Sequence, residues 1–169
     1  MMPNVQIREI DAGEIPVIQG LVNAIWGPTY GGILTEEQSG FMLDWMYSDQ
    51  ALASQFAQNN HFLLLTVDDE PTGFASFQEG SKHGFKLHKI YLLPTAQGRG
   101  WGRMLLDDVK ARIVESGGLH LDLNVNRGNT ARFFYEKLSF SVLREEDNYI
   151  GRGYWMNDYV MRLSLEGNL

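Results

Sequence analysis

LHKIYLLPTAQGRGWGRMLLDDV, residues 87–109, changes character twice along its length. Its first part is rich in large apolar and β-branched residues up to Pro94, which is typical of a β-strand. Three glycines then stand at alternate positions, Gly98, Gly100 and Gly102. Beyond them, apolar residues recur at every fourth position, which predicts a helix with one buried stripe. That stripe consists of Trp101, Leu105, Val109 and Ile113. We therefore predict a strand, a glycine-rich turn and a helix in succession.

A glycine-rich turn in front of a helix is a favourable place for a phosphate group. The first amides of a helix have no partner inside the helix, and the helix dipole adds partial positive charge there. Glycine lets an anion approach the backbone because it has no Cβ. Arg99 and Arg103 add two full charges beside the turn, although both also fit an ordinary charged surface. The pattern predicts a site for a pyrophosphate.

Composition narrows the class of protein. The 169 residues, 44% of them hydrophobic, suit one globular domain over residues 1–169. A net charge of −7 argues against a nucleic-acid partner, because phosphate backbones bind basic surfaces. The absence of cysteine excludes disulfides and thiolate chemistry. No apolar run approaches the roughly 20 residues that span a membrane, and no signal-peptide pattern opens the chain. We therefore expect a cytoplasmic protein that does not bind membranes.

The order of the predicted elements indicates a mixed α/β sheet with helices on its faces. Besides the strand before Pro94, alternating apolar patterns predict strands at residues 5–10, 61–67, 72–78, 119–125, 140–146 and 154–165. Helices are predicted after caps at Asp11, at Thr35 and at Ser48 or Asp49, after the glycine turn, and at residues 131–138. The long apolar last strand suits either the interior of the sheet or the interface of a homodimer.

A segment rich in glycine interrupts the first half of the chain. Residues 26–33 read WGPTYGGI, and the Gly-Pro and Gly-Gly pairs predict a loop. Aromatic residues in loops often line binding sites, but they also fold back onto the core. Trp26 and Tyr30, together with Tyr154, are therefore candidates for a substrate pocket or for packing at its rim.

Two motifs in the second half of the chain resemble the GNAT superfamily of N-acetyltransferases. The family's cofactor motif stands here as QGRGWG, residues 97–102, after a strand that ends IYLLP. The second family block, an Asn-turn and a helix, reads NTARFFYEKLSF at residues 129–140. Ser139 replaces the usual glycine of that block, which affects a turn and not the chemistry. The resemblance covers residues 74–165 and implies a mostly antiparallel, twisted sheet flanked by helices.

The resemblance also implies which residues bind acetyl-CoA. The glycine turn would hold the pyrophosphate through its backbone amides, and the strand before it would pair its backbone with the pantetheine arm as a pseudo-strand. Asn129 would hydrogen-bond that arm. The cofactor-binding residues implied in this way are Ile90, Tyr91, Leu92, Gln97, Gly98, Arg99, Gly100, Trp101, Gly102 and Asn129. Asn129 also fits a simple helix N-cap.

The implied reaction is attack of a primary amine, from a small molecule or a peptide, on the thioester. An alkylammonium has a pKa of about 10.4, so it must lose a proton before it can attack. Tyr135 would stand near the sulfur and assist the leaving thiolate as a hydrogen-bond donor. The proton of the amine has three candidate acceptors, Glu79, His88 and Asp122, and a relay through water needs no single base. His88 alternates with Ile90 and Leu92 and is expected to share their face of the strand.

Three other functions are weighed against this one. A dinucleotide-binding oxidoreductase is disfavoured because Arg103 stands where the fingerprint requires its third glycine, and because no second βαβ unit follows. A non-catalytic acyl-CoA sensor of the same fold is compatible with the sequence, although the presence of Tyr135 favours an enzyme. A zinc hydrolase is disfavoured, and no metal is predicted, because the four histidines lack helical metal-ligand spacing.

Overall fold

The protein is built on one seven-stranded sheet, seen in a computed structural model that describes residues 2–167. Within those residues the strands are β1 (Val5–Ile10), β2 (His61–Val67), β3 (Glu70–Glu79), β4 (Gly84–Leu92), β5 (His120–Asn126), β6 (Ser141–Gly151) and β7 (Tyr154–Ser164). The α-helices are α1 (Ile15–Tyr30), α2 (Glu36–Tyr47), α3 (Asp49–Ala57), α4 (Trp101–Glu115) and α5 (Ala131–Lys137). In this described part, no helix has the length and apolar character needed to cross a membrane.

The strands lie in the order β1-β2-β3-β4-β5-β7-β6. Every neighbouring pair is antiparallel except β4 and β5, which are parallel, so the prediction of a mixed, mostly antiparallel sheet is confirmed. The long last strand, β7, lies between β5 and β6. Of the two possibilities that the sequence left open, burial inside the sheet is therefore correct.

Helices cover both faces of the sheet. One core layer packs α4 and α5 against β2–β5 and β7, and it contains the predicted apolar stripe of α4. The other layer packs α1, α2 and α3 against β2 and β3. The caps predicted from the sequence are present, because Asp11, Thr35 and Ser48 each accept a hydrogen bond from a backbone amide of the turn that follows.

The two parallel strands separate before they end. β4 and β5 are paired from Gly84 and His120 only as far as Leu87 and Leu123. Both strands continue, β4 to Leu92 and β5 to Asn126, without a partner in each other. Beyond Leu87, the side of β4 that faces β5 therefore presents backbone groups that no strand of the described chain satisfies, and backbone groups of this kind require a partner.

A β-bulge in β4 overturns the predicted orientation of His88. Ser76 on β3 pairs with Lys89 and Phe77 pairs with Leu87, which leaves His88 as the extra residue. A bulge shifts the alternation of side chains by one position. As a result, Ile90 packs in the layer of α4, whereas the His88 ring hydrogen-bonds Gln78 on the opposite face.

The prediction of a loop at residues 26–33 is wrong for its first half, because α1 continues through Gly27 and Pro28 to Tyr30. Trp26 is buried, its ring lies 4.5 Å from that of Tyr30 one turn later, and its indole donates to Ser39. Gly27 and Pro28 lie on the exposed side of the helix. Burial of the two aromatic rings therefore outweighs the low helix propensity of glycine and proline, as tertiary packing often does.

The turn after α5 gives a testable stability prediction. Ser139 has φ +75°, and the amide of Phe140 donates to the carbonyl of Tyr135, which is the Schellman arrangement that favours glycine. We expect Ser139→Gly to raise the free energy of unfolding by about 0.5–1 kcal/mol, because an L-residue pays a steric penalty in this conformation. Chemical denaturation measures this change in the free energy of unfolding. Ser141→Gly, at an exposed position of β6, is the control and should destabilise; equal losses in both variants would contradict the prediction.

Candidate active site

A cleft of about 670 Å³ opens where β4 and β5 separate. Helices α1, α2 and α3 form one wall, and β4 with β5 forms the floor. Residues of β6 and β7 close the far side. The cleft lies on the same face of the sheet as α1–α3, and the glycine-rich turn lies just beyond the end of β4. The separation of the two parallel strands thus opens a cleft lined by polar and apolar residues, and the predicted phosphate site follows the end of one of those strands.

The glycine-rich turn has the geometry that a bound phosphate requires. Gly98 and Gly100 have φ of +82° and +84°, and a Cβ added to either would find no atom within 4 Å. Both glycines are exposed, and α4 begins at Trp101 directly after them. The turn therefore offers open backbone at a helix N-terminus, where free amides and the helix dipole favour an anion. Arg99 is exposed beside it, with its guanidinium 5.3 Å from the centre of the Trp101 ring.

The other cofactor-binding candidates lie between this turn and the cleft. Ile90, Tyr91 and Leu92 pair with β3 on one side and are free on the side of β5. Gly102 lies in the first turn of α4, where a Cβ would stand 3.5 Å from Leu92 and 4.0 Å from Phe134. Asn129 lies in the turn before α5, where its Oδ1 accepts from the amide of Ala131 at 2.8 Å. This contact uses only the oxygen of that side chain, so its Nδ2 is the donor left for a ligand.

Tyr135 is buried beside α4 and does not line the cleft itself. Its ring packs 5.4 Å from Phe134 and 5.6 Å from Phe140. Desolvation, and then the nearby hydroxyl of Tyr30, raise the pKa of its phenol above the usual value. The hydroxyl therefore stays protonated at physiological pH, and towards an anion it acts as a donor.

The three base candidates differ in where the structure places them. Glu79 is exposed at the end of β3 and does not line the cleft. Asp122 is held by Arg162 through two hydrogen bonds of 2.7 and 2.9 Å. Only His88 lines the cleft, with its Nε2 3.0 Å from Oε1 of Gln78. Partial desolvation, then the charges of Lys89 and Lys86, lower the pKa of its imidazole, which makes it a weaker base.

Of the three aromatic residues predicted to line a substrate pocket, two line the cleft and one does not. Tyr30 lines the cleft, and its hydroxyl lies 2.8 Å from that of Tyr91. Trp26 also reaches the cleft wall although most of it is buried. Tyr154 packs on Phe41 with 5.3 Å between ring centres, and it lies outside the cleft.

Two buried charged residues of the cleft were missed by sequence reasoning. Lys89 is only 8% exposed; its Nζ donates to Gln55 at 2.9 Å, and desolvation lowers its pKa to about 8. Asp158 is 2% exposed and accepts from Asn124 Nδ2 at 3.2 Å. Asp158 carried a signal, since it shares a face of β7 with Met156 and Val160 and is the charged residue in that apolar series. Lys89 carried no such signal, because the sequence does not predict the bulge beside it or its burial.

Comparison with known proteins agrees with this geometry. A family model described as an acetyltransferase (GNAT) domain matches residues 33–163. The chain is similar to a [ribosomal protein bS18]-alanine N-acetyltransferase of Haemophilus influenzae, with 32% identity over 67% of this chain and 75% of that protein. It is also similar to a spermidine N(1)-acetyltransferase of Thermoplasma acidophilum, with 25% identity over 82% of this chain and 89% of that protein. A crystal structure of the PaiA N-acetyltransferase from T. acidophilum in complex with coenzyme A superimposes with a TM-score of 0.81, at 24% identity, over 95% of this chain and 99% of that one.

Proposed function

Because the chain belongs to the GNAT family of acetyltransferases, we propose that it transfers an acetyl group from acetyl-CoA to a primary amine of a small molecule or peptide. The observation that carries the proposal is the separation of β4 and β5 after Leu87 and Leu123. It leaves a free strand edge beside an open glycine turn on one side and a cleft lined by polar and apolar residues on the other. A donor and an acceptor can thus enter from opposite ends and meet between the strands.

The acetyl-CoA side is assigned to the residues that line that free edge. Backbone amides of Gln97, Gly98, Arg99, Gly100, Trp101 and Gly102 bind the pyrophosphate in this proposal. The free backbone groups of Ile90, Tyr91 and Leu92 bind the pantetheine arm as an added strand would. Asn129 donates to the same arm from its Nδ2, since its Oδ1 accepts from the amide of Ala131 in the turn before α5.

The chemical step places the amine and the thioester together in the gap between the strands. The amine nitrogen forms a bond to the carbonyl carbon, and the carbon–sulfur bond breaks. A backbone amide near Leu92 polarises the carbonyl oxygen, as donors in an oxyanion hole do. Tyr135 donates a hydrogen bond to the departing sulfur, which is consistent with a phenol kept protonated by burial.

Two kinds of acceptor are suggested by the relatives. The Haemophilus protein is named for an alanine of a ribosomal protein, and the Thermoplasma protein for spermidine. Both are amines, so the proposal for this chain is the shared class. Besides Lys86 and Lys89, the cleft is lined by two carboxylates, Glu146 and Asp158. Asp158 is only 2% exposed, so an acceptor that arrives as a cation would find a buried negative charge there.

A thiol-release assay tests the proposal. We expect the purified protein to release free CoA from acetyl-CoA when it is offered some member of a panel of polyamines, amino acids, aminoglycosides, arylamines and peptides with free N-termini. Calorimetry with acetyl-CoA and with NADH, without an acceptor, provides the control. Tight acetyl-CoA binding with no release across the panel would support the non-catalytic sensor instead. Preferential binding of NADH would overturn the assignment.

A further inference from the structure

Asp158 is a carboxylate buried in the cleft without a positive partner. It lies on β7, opposite Asn126 of β5 and Glu146 of β6, and it is 2% exposed. None of the ion pairs among residues 2–167 involves it. Its side chain has one hydrogen bond, from Asn124 Nδ2 at 3.2 Å. A buried carboxylate with so little compensation is costly, and a cation delivered by a ligand would offset that cost.

A second polar atom beside Asp158 also lacks a partner. Oδ1 of Asn124 is buried and accepts no hydrogen bond. Asn124 lies on β5, one residue beyond the point where β5 leaves β4, so both acceptors stand at the gap between the strands. The charge of Asp158 also reaches across that gap, because it contributes to raising the pKa values of Tyr30 and Tyr91. The unsatisfied acceptors thus lie where the amine must meet the thioester.

We propose that Asp158 binds the acceptor amine as its ammonium ion and then takes a proton from it, with Asn124 as the residue that positions the carboxylate. The inference rests on the proposed function and deepens it by naming the base. The other candidates are less suitable, because Glu79 lies outside the cleft, Asp122 is bound to Arg162, and His88 is a weakened base.

The protons balance in this scheme. The ammonium gives one proton to the Asp158 carboxylate, and the nitrogen lone pair then attacks the thioester carbon. When the carbon–sulfur bond breaks, the second proton of the nitrogen passes to the sulfur, so the products are the amide and free CoA. Asp158 returns its proton to solvent before the next turnover. The sum is one ammonium and one thioester converted to one amide, one thiol and one proton.

The surroundings of Asp158 support a base of useful strength. Desolvation raises the pKa of its carboxyl, and Glu146 raises it further. The hydrogen bond from Asn124 and the charges of Lys86 and Arg127 lower it, but desolvation outweighs them. Tyr30 and Tyr91 face it as neutral phenols. Because its pKa is raised, the Asp158 carboxylate accepts a proton more readily from an ammonium ion. It acts as a base only while it is ionised, so it loses this role in acid.

The pH profile of Asp158→Asn tests the inference, using an amine identified in the thiol-release panel. At pH 7 we expect kcat/KM to fall about 100-fold, because proton removal by a positioned base contributes about that much. In wild type, kcat/KM should decline in acid as Asp158 is protonated. In the variant the plateau above the pKa of Asp158 should vanish, because kcat/KM should keep rising about tenfold per pH unit until the free amine predominates. The affinity for acetyl-CoA should stay within twofold.

The control is Asp69→Asn, an exposed position in the turn between β2 and β3 outside the cleft, where kcat/KM should stay within twofold. If Asp158→Asn does not fold, Asn124→Ser replaces it as the test. Loss of the amide donor raises the pKa of Asp158, so the acid limb of kcat/KM should move to higher pH. An unchanged pH profile in whichever variant folds would overturn the role of Asp158 and leave the proposed function intact. Absence of turnover by wild type itself would instead overturn the proposed function.

Discussion

Replacing Tyr135 with phenylalanine is expected to lower kcat about 100-fold, a loss typical of removing one positioned proton donor. The phenol is buried and stays protonated, so its contribution is a hydrogen bond that strengthens as negative charge forms on the sulfur. Phenylalanine keeps the ring contacts with Phe134 and Phe140, so only the donor is removed. Steady-state kinetics with the best amine of the panel, together with calorimetry for acetyl-CoA, measures the two effects separately. Affinity should change by less than twofold.

Tyr159→Phe is the matched control for this measurement. Tyr159 is half-buried on β7 and packs against the same core layer as Tyr135, but its ring lies beside Arg132, 4.7 Å from the guanidinium, away from the cleft. Removal of its hydroxyl should leave kcat within twofold. If Tyr135→Phe turns over at the wild-type rate, the hydroxyl has no part in the chemistry. If affinity for acetyl-CoA falls together with kcat, Tyr135 acts in binding and not on the leaving group.

The two halves of the proposed site differ in how much of each could be predicted from the sequence. The half that we propose to bind acetyl-CoA is local in sequence, since strand, turn and helix follow one another within residues 87–109 and each has its own periodicity. Glycine at positions with φ above +80° is a backbone requirement that a sequence expresses directly. The strand, the turn and the helix stripe were therefore predicted, and the structure has them.

The half that we propose to bind the acceptor is assembled from elements that are distant in sequence. Asp158, Asn124 and Tyr30 come together only through the order of the strands and the register of β5 against β7. The bulge at His88 reverses the alternation that any period-two reading assumes, so it hides Lys89 and misplaces His88. Helix α1 passes through Gly27 and Pro28 because Trp26 and Tyr30 pack in the structure, which local propensity does not foresee. Long-range pairing is the physical reason for these misses.

Gly100→Ala is expected to weaken acetyl-CoA binding at least tenfold while costing only about 1–2 kcal/mol of stability, the usual penalty for an L-residue in the left-handed region. Gly100 has φ +84°, and a Cβ there meets no protein atom within 4 Å, so the fold itself accommodates it. The space the methyl group enters is the open side of the turn, where the pyrophosphate is proposed to approach the backbone. Calorimetry gives the affinity, and chemical denaturation gives the stability.

Gly117→Ala is the control that distinguishes a lost ligand contact from general backbone strain as the cause of weaker acetyl-CoA binding. Gly117 has φ +85° and equally open surroundings, but it follows the other end of α4, far along the helix from the turn. Its alanine variant should lose about the same stability, because the backbone strain is the same. It should bind acetyl-CoA as wild type does, because no phosphate approaches that end. Equal losses of affinity in both variants would attribute the effect to general strain, and an unaltered affinity in Gly100→Ala would remove the turn from the cofactor site. A loss confined to Gly100→Ala requires that the ligand touches the backbone there, which is the property that only glycine provides at this position.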